Sequence, residues 1–205
     1  MFLKEKQMFR KLVPAVVAVL IFAFALIRAN AQVVPQGSQG GIPLTVGGGV
    51  SDFSLDWGPS RRMIGITAWV DWRLPFRERF LSGLGAEVEG REIDWDKPSD
   101  LPRMRQETGL GGATYILPLH SRRYHLYAKY LVGLGGIYFA PSGYDHDTRI
   151  VFAPGGGIDY RVGHGISIRG DYEYQFWHQI FGPHDLNPQG PTVGVLYSFG
   201  GRRYE

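Results

Sequence analysis

Histidine beside a carboxylate is the pairing from which acid–base catalysis and metal ligation are built, and Asp145-His146-Asp147 offers it at consecutive positions. Neighbours in one polar segment cannot close a site without partners from other segments, so a solvated loop tip is the expected role. The same holds for His178 and His184, either side of Pro183. His120-Ser121 sets a base next to a nucleophile, but in a stretch that reads as a short turn. Glu92, Asp94, Asp96 and Asp100 could gather a divalent cation, yet a run of acids is ordinarily a solvated surface. Gly47-Gly48-Gly49 and Gly155-Gly156-Gly157 lack the lysine and helix of a phosphate loop and suit close packing or bends. With no cysteine in the chain, disulfides and a lipoprotein cysteine are excluded. The residues thus lead us to expect no catalytic group, no cofactor and no metal.

The elements that would position any site begin after residue 31. Of the 22 basic residues, Lys4, Lys6, Arg10, Lys11 and Arg28 precede that point, beside a single acid, Glu5. Setting them aside turns the net charge of +3 into −1, which removes any global case for nucleic acid as a partner. The basic start leads into an apolar run from Leu12 to Ile27, then Ala29-Asn30-Ala31 and Gln32. That is the layout of a secretory signal peptide, and the run is shorter than the ~20 residues of a spanning helix. Residues 1–31 are therefore expected to be cut off between Ala31 and Gln32, with Ala29 and Ala31 as the small residues of the cleavage site. Mass spectrometry of membrane-extracted protein should find Gln32 at the N-terminus. An intact Met1 would make the segment an anchor and the compartment a different one.

The remainder reads as strands. At 44% hydrophobic and 20% charged the chain is not a disordered one, and 29 glycines without a three-residue repeat exclude collagen. Apolar residues alternate with period two rather than 3.6, over about 42–53, 62–73, 80–91, 103–117, 124–138, 150–162, 166–177 and 190–199. Connections around Pro75, Pro118 and Gly163-His164-Gly165 are short, and those between them are longer and polar. The expectation is an all-β, eight-stranded antiparallel up-and-down barrel over 42–199. A short segment at 32–41 precedes it and a tail at 200–205 follows. Strands of ten or more residues exceed the globular mode and suit a tilted bilayer crossing.

Alternation does not say which face is outside. Tyr124, Leu126, Ala128, Tyr130, Val132 and Leu134 share one face of the fifth strand, opposite His125, Tyr127, Lys129, Gly133 and Gly135. The apolar face ends in aromatic residues: Trp72, Phe80, Tyr124, Tyr160, Tyr197 and Phe199 near the short turns, Tyr138 and Phe176 near the long loops. Two aromatic bands on an apolar face mark the two interfaces of a bilayer. The early G-x-W motif of soluble lipocalins is absent. Apolar residues are therefore placed outward, against lipid.

This pattern resembles the small outer-membrane barrels of the OmpA/OmpX type across the whole segment after residue 31. The last strand, Thr192-Val193-Gly194-Val195-Leu196-Tyr197-Ser198-Phe199, is similar to their barrel-assembly signal, with Thr192, Gly194, Tyr197 and Phe199 at its defining positions. The resemblance implies a monomer in the bacterial outer membrane, surrounded by its lipid and inserted by the barrel-assembly machinery. It implies a structural or surface-interaction role, in envelope integrity or adhesion, with an unidentified ligand for the long loops. The alternatives are a lipid-modifying enzyme such as a lipid A deacylase or acyltransferase, and a narrow pore. The enzyme needs a lipid-facing Ser–His pair near the outer leaflet. The pore must contend with the filled interior of eight strands.

The polar faces carry charge of both signs. Glu87, Glu89 and Arg91 come from the third strand, Arg105 and Glu107 from the fourth, and Lys129 from the fifth. Asp159 and Arg161 come from the sixth, and Arg169, Asp171 and Glu173 from the seventh. These residues are expected to pair across the lumen and close it, with Glu87 or Glu107 meeting Lys129 or Arg169 near mid-depth.

Overall fold

The computed structural model describes residues 44–55, 61–74, 78, 80–96, 104–118, 121, 123–139, 146–180 and 184–199. The signal segment with Ala29, Ala31 and Gln32, the 32–41 segment and the 200–205 tail lie outside the described residues. So do His120, Asp100 and Asp145.

All regular structure described is strand: β1 Leu44–Leu55, β2 Arg61–Arg73, β3 Leu84–Asp96, β4 Met104–Ile116, β5 Tyr124–Phe139, β6 Asp147–Gly163, β7 Ile166–Tyr174, β8 Phe176–Ile180, β9 His184–Leu186 and β10 Gln189–Phe199. Each strand pairs antiparallel with its neighbours, β1 pairs with β10, and β5 pairs with β6, which closes the ring. The ring is an eight-stranded barrel, because β8 prolongs β7 and β9 leads into β10. Glu173 lies opposite Gly155 and Phe176 opposite Phe152, the same register on both sides of Gln175. The ladder is interrupted where Pro154 has no N–H to give, and the return strand is interrupted at Pro188. We call the end where β1 begins and β10 finishes the lower end.

The turn between β6 and β7 is the shortest. His164 and Gly165 both hold positive φ, 50° and 81°, the geometry whose twist matches a two-residue hairpin. In the triple-glycine stretch of β1, a Cβ on Gly49 would lie 2.4 Å from the carbonyl oxygen of Val193, so β10 can approach only a glycine there.

Two expectations need correction. The third strand starts at Leu84, not at residue 80. The N–H groups of Leu81 and Ser82 bond to the Glu78 carbonyl and fold that stretch into a turn, leaving Phe80 84% exposed and off the strand. The 74–83 connection is consequently long, and the contrast of short lower turns with long upper loops is weaker than expected.

The polarity of the faces changes with height, and that organises everything else. Through the lower and middle barrel, Val50, Ile66, Val70, Val88, Leu134, Ile168, Val193 and Val195 stand exposed on the outside. Thr67, Glu87, Glu89, Lys129, Arg169 and Asp171 are buried inside. Toward the upper end the sense reverses. Phe53, Leu55, Met63, Ile93, Met104, Trp177, Ile180 and Leu186 point inward and pack as an apolar core, while Arg62, Arg105, Glu107, His178 and Asp185 face out. An exterior that passes from hydrocarbon into water changes from apolar to polar at that height, and here the residues facing inward at the same height pack as an apolar core.

Candidate functional site

Three cations from three strands form a vertical stack inside the barrel. Arg169 of β7 is the lowest. Its guanidinium takes Asp159 of β6 in a fork at 2.8 and 3.0 Å, Asp71 of β2 at 2.9 Å and Glu87 of β3 at 3.1 Å. It also lies over the rings of Tyr127 and Trp69, at 4.5 and 5.5 Å. A planar fork with five donors suits this many acceptors at once.

Lys129 of β5 stands above it, its side chain 1% exposed. The ammonium lies 3.3 Å from Glu87, 2.9 Å from Glu89, 3.1 Å from Asp171 and 3.0 Å from Glu173. Glu89, Asp171 and Glu173 are close enough together to ligate a metal ion, and the lysine nitrogen occupies the space between them. The Tyr127 hydroxyl donates to Asp171. Arg91 of β3 is the highest cation, paired with Glu89 and Glu173 at 2.7 Å each, donating to Thr67, and covered by the Phe53 ring at 4.2 Å.

The polar stack then runs out into the apolar core. Glu173 accepts from Gln175, which accepts in turn from Gln106 and from the Trp177 indole. Trp177 is fully buried, and above it the lining is apolar. Dense pairing is what makes so many ions tolerable inside, because each buried charge left alone costs several kcal/mol. Trp69, Glu89, Lys129, Arg169, Asp171 and Thr192 line the small space left between the charges.

The structure brings together Glu87, Glu89, Arg91, Lys129, Asp159, Arg169, Asp171 and Glu173. Arg161 is half-buried toward the lower end, opposite Ser167. Arg105 and Glu107 are not in the lumen. They are 45% and 51% exposed on the outer face, bonded to each other and, through Arg105, to Glu92 at 2.9 Å. The inward residues of β4 are Met104, Gln106, Thr108 and Leu110, all buried. The expected Glu107 pairings therefore do not form, because Glu107 lies above the height at which the faces invert. Asp71, Tyr127, Gln106 and Gln175 belong to the stack and were not among the expected charges. Asp71 was readable from the Met63-Gly65-Thr67-Trp69-Asp71 alternation of β2.

Several of the other candidates have structural partners among the described residues. Ser121 accepts from the N–H groups of Arg123 and Tyr124, which caps the lower turn. His178 pairs with Asp185 at 2.8 Å on the exposed upper hairpin, and Asp147 pairs with Arg149 at 3.0 Å. In the last strand Thr192 is buried and bonded to Ser51 at 2.7 Å, while Tyr197 and Phe199 face outward. Trp72, Tyr124, Tyr138 and Phe176 face outward as well.

No family model matches the chain, and no curated protein does. Solved structures match. Neisserial surface protein A has a TM-score of 0.64 at 14% identity, over 78% of this chain and 99% of that one. Ail, the attachment invasion locus protein of Yersinia pestis, has a TM-score of 0.54 at 14% identity, over 77% of this chain and 99% of its own. A second Ail structure, in complex with the heparin analogue sucrose octasulfate, gives 0.52 at 14% identity, over 78% and 99%. The shared property is the fold, a closed eight-stranded barrel of the small outer-membrane type.

Proposed function

We propose that this chain is a non-enzymatic barrel of the bacterial outer membrane with a structural and surface-interaction role, its upper end outside the cell. The filled lumen carries the reading. Arg169, Lys129 and Arg91 with their acids stop the bore, and the apolar core over Trp177 stops it again. A protein stopped twice is not built to pass solutes, which leaves its two ends and outer face for function. Outer-membrane lipid covers the apolar belt, and the assembly machinery reads β10 through Thr192, Gly194, Tyr197 and Phe199. The loops above the upper core meet the ligand. A solved structure of Ail holds a heparin analogue, so a sulfated polysaccharide is the class to try first on these loops.

Purified protein in planar bilayers should give no ion current, and in lipid vesicles no hydrolysis of lipid A. Protease added to intact cells should cut within 97–103 or 140–146 and leave the strands whole. Steady current would reinstate the pore, and acyl-chain release the enzyme. Cutting confined to 74–83 and 117–123 would put the other end outside.

A further inference from the structure

Charge is divided unevenly between the two ends of the chain's crossings. The stretches that lead into and out of the upper end, 52–63, 92–107, 140–149 and 178–189, hold ten acids against six lysines and arginines. Those at the lower end, 73–83, 117–125 and 161–165, hold six arginines against one acid, Glu78. The partners differ as well as the totals. Arg62, Arg105 and Arg149 near the top each have a carboxylate, Asp52 at 2.6 Å, Glu92 at 2.9 Å and Asp147 at 3.0 Å. Near the bottom, Arg123 and Arg161 pair with no acid among the described residues. Asp71 and Asp159, the carboxylates toward the lower mouth, are both taken by Arg169, at 2.9 and 2.8 Å.

The lower bases lie at the level of an aromatic band. Arg73 follows Trp72, Arg123 and His125 flank Tyr124, and Arg161 follows Tyr160. Trp72 and Tyr124 are about half exposed on the outside, and Tyr160 packs against Tyr124 with ring centroids 5.0 Å apart. Aromatic side chains of this kind settle at the headgroup level of a bilayer. Tyr124 and Tyr160 are register partners, and the Arg161 N–H bonds to the Arg123 carbonyl at 2.9 Å, which holds these two arginines at one height. His125 lies within electrostatic reach of both Arg73 and Arg161, so β2, β5 and β6 bring positive charge to the same mouth.

We propose that the lower rim gathers anionic phospholipid, its headgroup phosphates taken by Arg123 and Arg161, with Arg73 adding to the field. This rests on the reading of the chain as a membrane-spanning barrel, and names the lipid class that one of its rims takes. A guanidinium without a carboxylate partner at headgroup height has lipid phosphate as its nearest anion. A zwitterionic headgroup brings an ammonium with each phosphate, and the lower end has little acid to receive it. An anionic headgroup brings the phosphate charge alone. Each arginine near a charged membrane surface is worth about fivefold in local lipid concentration, an attraction that salt weakens. At the upper end, paired bases and surplus acids turn the same lipid away. The two rims thus select their lipids by opposite charge.

Trp72 stands in the lower band and reports the lipid beside it. Protein in phosphatidylcholine vesicles receives bromine-labelled phosphatidylglycerol, or bromine-labelled phosphatidylcholine at the same fraction. The fluorescence quenching that disappears in Trp72→Phe is the share belonging to the lower rim. That share should favour phosphatidylglycerol by about fivefold or more at low salt. Arg123→Gln with Arg161→Gln should bring the preference close to unity, and Arg62→Gln at the upper end should leave it unchanged. Heat-modifiable mobility identifies the folded fraction. Arg123→Gln alone, an exposed change, should lower the preference if the double variant does not fold. Equal quenching by the two lipids, or a preference indifferent to these arginines, would overturn the proposal. So would loss of the preference to inorganic phosphate at constant ionic strength, which would assign the arginines to a free anion. The vesicles offer both lipids to both rims, so the result does not depend on which end lies outside the cell.

Discussion

Lys129→Met should cost about 3–5 kcal/mol of stability or more, the penalty of stripping one partner from a buried ion pair. The methionine fills much the same volume, so the loss measures charge and not packing. Glu87, Glu89, Asp171 and Glu173 all lie within 3.3 Å of the lost ammonium. Urea unfolding of protein in lipid vesicles, followed by tryptophan fluorescence, reads the loss as a lowered midpoint. Glu107→Ala is the contrast. Its side chain is half exposed beside Arg105, so it should change stability by no more than about 1 kcal/mol. Equal losses for the two variants would mean that the lumenal stack holds nothing together.

Trp177→Ala should be the most damaging change in the upper core, at about 3–5 kcal/mol for a large buried aromatic. The indole has no exposed surface and donates to Gln175 at 2.8 Å, so removal opens a cavity and leaves the Gln175 oxygen with Gln106 as its donor. The ring also lies directly over Gly135, where an added Cβ would meet it at 2.2 Å. Trp72→Ala, in the lower aromatic band and half exposed, should cost much less in the same unfolding measurement. Parity between the two tryptophans would mean that the upper core is not packed as described.

The strand count, the order of the meander and the outward apolar belt were legible because lipid imposes one rule along the whole crossing. Lys129, Arg169, Asp171 and Glu173 could be placed in the lumen by simple alternation on β5 and β7. Arg105 and Glu107 could not. The rule that charge faces in holds only at the height of the hydrocarbon, and a period of two carries no information about height. Above it, Glu92 and Ile93 sit in adjacent positions with the charged one outside, whereas Glu89 and Arg91 on the same strand turn inward. The apolar core of Phe53, Met63, Met104, Trp177 and Leu186 was hidden for the same reason. Its residues continue faces that lower down are polar. Phe80 misled differently. It continues the alternation of Leu84, Ala86 and Val88, and only the hydrogen bonds to Glu78 show that the chain has already turned.

The pairing of β1 with β10 joins the earliest described strand to the last, and the hydroxyls of Thr67, Ser51 and Thr192 link β2, β1 and β10 across that joint. Below the β8–β9 hairpin, a sheet closed in this way has no free edge from which to fray. Any strand that leaves must break two ladders before water or another strand can repay either. The barrel's persistence is then set by the height of an unfolding barrier as well as by the depth of its free-energy well. Once the joint forms, a barrel whose resting stability has been lowered by mutation can still unfold slowly.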